Sequence, residues 1–198
     1  MATGLSQLHQ SLGSLYPAGR TLAKHQRIIE ELQRAIDSRT EFTDESTGPG
    51  VLYKSYESLL RGVLAMVGEE SVFEFLQDCL VHARPVWEQG SPDQRLLDEV
   101  LDALGNPERR EQDAEWLEGL RDEAAETALL SRVPAGAVAD AVAMAATSLL
   151  ESGEAVLEAA VNAACTLTRA AGCPSDEIDF QTALLATKLR ENMAGENS

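Results

Sequence analysis

Apolar residues recur along the chain at steps of three and four, the spacing of helices buried along one side. Leu5, Leu8, Leu12 and Leu15 form a first stripe, stopped by Tyr16-Pro17. A second helix is predicted over 21–38, with Leu22, Ile29, Leu32 and Ile36 on one face. After Gly48-Pro49-Gly50, another stripe holds Leu52, Tyr56, Leu59, Leu60, Val63 and Val67, and Gly68 is placed as its C-terminal cap. The next runs over 69–84 with Val72, Leu76, Cys79, Leu80 and Ala83 inward, and Pro85 is expected to kink or end it.

Cap chemistry marks the following starts. In Ser91-Pro92-Asp93-Gln94, Ser91 suits the cap, Pro92 the first helical position and Gln94 the return hydrogen bond. That helix carries Leu97, Val100, Leu101 and Leu104 and ends at Gly105. Asn106-Pro107-Glu108 repeats the pattern for a longer helix to about Leu130, with Leu117, Leu120, Ala124 and Ala128 inward. Pro134 precedes two alanine-rich helices over 135–151 and 154–171. Ser175-Asp176-Glu177 opens the last helix with acids set against its N-terminal dipole, ahead of Ile178, Leu184, Leu185 and Leu189. No alternating β-branched run bounded by hairpin turns occurs. The prediction is all-α: one domain over 1–198, a bundle of about nine helices with short connections and sequential antiparallel packing. Within it, 1–50 reads as a helical pair and a flexible loop, and 51–193 as the main acidic bundle. The residues after Met193 read as a loose end.

The alanine-rich helices match at an offset of 18 (Ala137/Ala155, Val138/Val156, Ala141/Ala159, Ala145/Ala163, Ala146/Ala164, Leu149/Leu167). Small residues along this line allow two neighbouring helices to approach closely. Duplication and convergence on alanine-rich composition explain the match equally well.

Charge changes the picture most. Residues 1–66 carry seven Lys/Arg and seven Asp/Glu, so the remainder holds the whole formal charge of −17. Such a balance disfavours nucleic acid and anionic membrane as partners, since phosphate contact needs a basic footprint. It favours a basic protein, attracted from a distance, although acidity also serves plain solubility. No run approaches the roughly 18 apolar residues of a membrane span. Residues 1–15 lack the basic start and apolar centre of a signal peptide. Three cysteines are an odd count for a disulfide framework, so a reducing, cytoplasmic location is expected.

Candidate chemistry is sparse. Glu74, Asp78, Cys79 and His82 fall in one helical neighbourhood, but the set lacks the second ligand pair that zinc requires. No nucleophile elbow or phosphate loop occurs, and His9 and His25 stand apart. Arg20, Lys24, Arg27 and Arg34 share one side of their helix and suit docking or solvation. No cofactor or metal is expected. Trp87, beside the Pro85 break, and Trp116, off the Leu117/Leu120 line, are candidate interface anchors, with a core position the competing reading for each. The acids flanking Trp116, namely Asp113, Glu115, Glu118 and Asp122, complete the expected partner-binding set.

The stretch Leu76-Gln77-Asp78-Cys79-Leu80-Val81-His82-Ala83-Arg84-Pro85-Val86-Trp87-Glu88, followed by Ser91-Pro92-Asp93-Gln94-Arg95, resembles a family of helical immunity proteins of bacterial polymorphic toxin systems. The alanine-rich pair and Asp179-Phe180-Gln181-Thr182-Ala183-Leu184-Leu185 are similar to that family's closing helices. The resemblance implies a non-catalytic inhibitor that binds a toxin, and the acidic half would suit a basic target. Three functions therefore stand as expectations. The first is a non-enzymatic interaction protein of immunity type with a basic partner. The second is a self-assembling structural or cargo protein, a homo-oligomer. The third is a metal- or thiol-dependent enzyme centred on Cys79 and His82.

Overall fold

A computed structural model describes residues 6–8, 10–11, 49–90, 93–112, 114–171 and 174–196. The helix predicted over 21–38, the basic side chains on it, His9, His25 and Cys173 lie outside these residues, as does Asp113. Among the described residues there is no strand, and the protein is all-α. Residues 6–8 and 10–11 are helical. The helices that follow are α1 (Pro49–Leu64), α2 (Glu69–Gly90), α3 (Gln94–Gly105), α4 (Pro107–Gln112), α5 (Ala114–Leu130), α6 (Ala135–Leu150), α7 (Glu154–Ala170) and α8 (Pro174–Glu196). The chain forms two compact units, Met1–Gly68 with Ile178–Ser198, and Glu69–Glu177.

In the first unit, Leu8, Tyr56, Leu59, Leu60, Val63, Ile178, Leu185 and Leu189 are buried together with Gln181 and Thr182. Buried polar groups need partners, and these have them. The Tyr56 hydroxyl donates to Gln181 Oε1, and Thr182 Oγ1 donates to the Ile178 carbonyl at 2.8 Å. Ser11 Oγ donates to the Ala186 carbonyl at 3.3 Å and receives Arg190 Nε at 3.2 Å. Three boundaries differ from the sequence reading. α1 already begins at Pro49, where a proline's missing N–H costs nothing. It ends at Leu64, closed by a turn from Met66 N to the Val63 carbonyl, and Gly68 is not left-handed. α8 continues past Met193 to Glu196, running on through Gly195.

The second unit is organised around α6. Val138, Ala139, Ala141, Val142, Ala145 and Ala146 are all fully buried, because α6 packs against α5, α7, α2 and α3. A helix apolar on nearly every side belongs in the middle of a domain, and alanine keeps it thin enough for four neighbours. α7 lies along it as the predicted close pair, with Ala160, Val161, Ala163 and Ala164 buried. Gly153, at φ +61° and ψ −126°, makes the turn between the two in a region reserved for glycine.

α2 runs on through Pro85 to Gly90 rather than stopping at Arg84. The proline is exposed, and Val81, whose carbonyl loses its helical donor, is 50% exposed, so the proline lies on the helix's solvent side rather than in the core. The extra turn buries Trp87 completely, and its Nε1 donates to the Asp93 carbonyl at 3.1 Å. Asp93, not Ser91, caps α3, its Oδ1 accepting from Arg95 N at 2.9 Å. The helix expected from Asn106 to Leu130 is described as α4 and α5 on either side of Asp113.

Candidate protein-binding surface

The unit Glu69–Glu177 holds seven Arg, no Lys and 23 Asp/Glu, a net charge of −16. Its arginines neutralise a particular set of these acids. Arg84 meets Asp98 at 2.7 Å. Arg95 reaches both carboxylate oxygens of Glu123, at 2.8 and 3.1 Å, and Glu99 at 3.1 Å. Arg109 pairs with Asp102. Arg110, its side chain 8% exposed, pairs with Glu70 at 2.7 Å and covers the Phe73 ring at 4.4 Å. These pairs bind α3 to α2 and α5, and α4 to α2, and they leave the acids of α3 largely compensated.

The outer face of α5 is different. Leu117, Leu120 and Ala124 turn inward, so the positions between them project outward. Glu115, Glu118, Asp122 and Glu126 are exposed at three- and four-residue steps along one line. Among the described residues Asp122 meets only its neighbour Arg121, at 2.8 Å. Glu115, Glu118 and Glu126 have no ion-pair partner among the described residues. The line continues into apolar side chains: Leu129, Leu130 and Val133 are 87%, 79% and 82% exposed. Beside Leu130 and Val133 a groove of about 610 Å³ opens, walled by Val86 and Gly90 of α2, Thr127 and Leu130 of α5, and Val133 to Ala135.

Of the six partner-binding residues expected from sequence, Glu115, Glu118 and Asp122 lie together on this face. Trp116 is half-buried beside it, with Arg109 over its ring at 4.5 Å and its Nε1 donating to Glu99 at 3.3 Å. Trp87 is a core residue and offers no surface, because α2 does not break at Pro85. Asp113 lies outside the described residues. Glu126 and the apolar end were missed. The apolar end was legible, since Leu129 and Leu130 follow Ala128 off the inward line and Val133-Pro134 begins three residues after Leu130.

The Cys79–His82 neighbourhood resolves into separate parts. Cys79 is fully buried, and burial, then the nearby charges of Glu177 and Asp78, push its thiol well above its ordinary value of 9.0. A thiol held protonated in this way is a poor nucleophile and a poor metal ligand. His82 Nε2 lies 3.3 Å from Glu177 Oε2, a buried carboxylate in the first turn of α8. A cleft of about 250 Å³ beside them has mostly apolar walls, among them Ala83, Val86, Val138 and Leu167. Among the described residues no three His, Cys, Asp or Glu side chains are grouped to hold a metal ion. No helix among them is long and apolar enough to cross a membrane. These features define the class as an all-α acidic helical protein. No family model matches the chain, and neither a curated protein nor a solved structure matches it.

Proposed function

We propose that this chain is a non-catalytic protein-binding protein that recognises a basic partner through the outer face of α5, in the manner of an immunity-type inhibitor. The observation that carries this reading is the exposed line Glu115, Glu118, Asp122 and Glu126, of which Glu115, Glu118 and Glu126 have no ion-pair partner among the described residues and Asp122 meets its neighbour Arg121, while other arginines of the unit serve other acids. Uncompensated carboxylates on one rigid helix hold a negative potential fixed in space. Such a field raises encounter rates with a basic surface by about 10–10³-fold and sets the orientation of docking. The small-residue faces of α6 and α7 are buried inside the unit, which favours this reading over one in which they form subunit contacts. The buried, protonated Cys79 argues likewise against a thiol enzyme.

The test is affinity capture from the source cells with the wild-type chain, a variant with Glu115, Glu118, Asp122 and Glu126 changed to Lys, and a charge-matched control. The control changes Glu69, Asp140, Glu151 and Glu154, exposed acids outside α5. A basic protein held by the wild type and the control but not by the α5 variant is expected. Identical captures by all three would sink the proposal.

A further inference from the structure

The acidic line of α5 does not end in solvent. One turn beyond Glu126 it meets Leu129 and Leu130, and then Val133, all of them more than three-quarters exposed. Scattered exposed leucines need no explanation, but Leu130 and Val133 line one groove, Leu129 adjoins Leu130 in the chain, and clustered exposed apolar side chains mark an interaction site. The groove, at about 610 Å³, falls within the roughly 300–1,000 Å³ of sites that enclose a ligand. It has room for more than one large side chain.

We infer that this groove seats large apolar side chains at one end of a basic segment of a partner protein, the rest of which runs along the acidic line of α5. The inference rests on the reading of α5 as the docking face and names the part of the partner that the charges alone do not specify. Charge chooses the occupant. A second copy of this chain would bring its own strongly acidic unit against the same acidic line, where like charges facing each other cost free energy. A basic segment meets no such opposition. Arg132, the one cation among the described residues lining the groove, sets the register: the partner's Lys and Arg residues lie over α5, away from Arg132, and its apolar residues over the groove. Such a division follows the general pattern of interfaces, in which a desolvated apolar anchor supplies affinity and the charged rim supplies rate and specificity.

Two synthetic helical peptides of about 16 residues test this, a length that matches the roughly 22 Å from Glu115 to Leu130 at 1.5 Å per residue. Both carry Lys and Arg at every third or fourth position. One ends in Leu-Leu-Trp, the other in three serines. Fluorescence anisotropy with the full chain is expected to show the apolar-ended peptide binding about tenfold tighter or better, a difference of about 1.4 kcal/mol. Leu130→Asp with Val133→Asp, at exposed positions that leave the core untouched, is expected to erase that advantage while keeping the salt-sensitive binding of both peptides. Equal binding of the two peptides by the wild type, a comparison that needs no variant, would overturn the groove inference and leave the α5 reading intact. So would an advantage that survives the double variant. Binding of neither peptide would overturn both. Sedimentation in which the wild type dimerises and the double variant does not would assign the groove to a second copy and overturn the inference.

Discussion

The chain has two tryptophans, and the structure gives them opposite roles that a denaturation experiment separates. Trp87 is fully buried, with its indole N–H on the Asp93 carbonyl. Replacing it by Ala removes the largest side chain of the second unit's core and leaves a cavity that α2, α3 and α6 cannot close without moving. Substitutions of this kind cost about 3–5 kcal/mol. Trp116 is half-exposed, and Ala there loses a cation–π contact with Arg109 of about 0.5–1 kcal/mol. It also loses a hydrogen bond to Glu99 of about 1 kcal/mol or less, since the site is wet. Its expected cost is about 1–2 kcal/mol. With a urea m-value of about 2 kcal/mol per M, Trp87→Ala lowers the midpoint by about 2 M and Trp116→Ala by less than about 1 M. Circular dichroism provides the common readout. Trp116→Phe isolates Trp87, whose emission is expected to be blue-shifted and protected from acrylamide until the unit unfolds. A larger loss at Trp116 than at Trp87, or a Trp87 emission that acrylamide quenches freely in the native state, would refute the burial of Trp87 and the continuation of α2 past Pro85.

Two further outcomes follow from single positions. Gly153→Ala places a side chain at φ +61° with no atom within 4 Å of the new Cβ, so its cost is backbone strain alone. About 1–3 kcal/mol, or roughly 2–12 °C in Tm, is expected, and an unchanged Tm would contradict the turn geometry. Cys79 has a raised folded-state value, so below 9.0 the thiol is protonated in both states and adds no pH dependence. Above it the unfolded chain releases a proton that the folded chain keeps, and stability falls by up to about 1.4 kcal/mol per pH unit. Urea midpoints between pH 8 and 10.5 (a window of about two units around that value) are expected to decline less steeply in Cys79→Ala than in the wild type; equal slopes would contradict the assignment.

Much of the fold was legible because helix ends are written locally. Gly105, Asn106, Pro134 and Asp176-Glu177 act through their own backbone neighbours and stand where the sequence places them. Features that depend on what packs from elsewhere were not legible. Pro85 reads as a stop, yet the turn beyond it gains the burial of Trp87, and the proline itself faces water. The alanines of α6 suggested one close neighbour; that it has four depends on the paths of α2, α3 and α5. His82 found its carboxylate in Glu177, 95 residues away and read from sequence only as a helix-start acid. Within the candidate surface, Glu115, Glu118 and Asp122 were found as acids flanking Trp116 in the acidic half of the chain. Their significance came from seeing which other acids the arginines neutralise, a matter of tertiary distance rather than composition.

The central claim is that the acidic line of α5 holds a basic protein. The most direct test measures the affinity of the captured basic partner for the wild-type chain and for the Glu115, Glu118, Asp122 and Glu126 to Lys variant. Calorimetry at about 0.05 M and about 0.5 M salt spans Debye lengths from roughly 14 to 4 Å. The account predicts that the wild-type complex weakens by at least about tenfold across that range, that the variant binds weakly at both, and that the charge-matched control behaves as the wild type. Affinity unchanged by salt, or a variant that binds as tightly as the wild type, would contradict it.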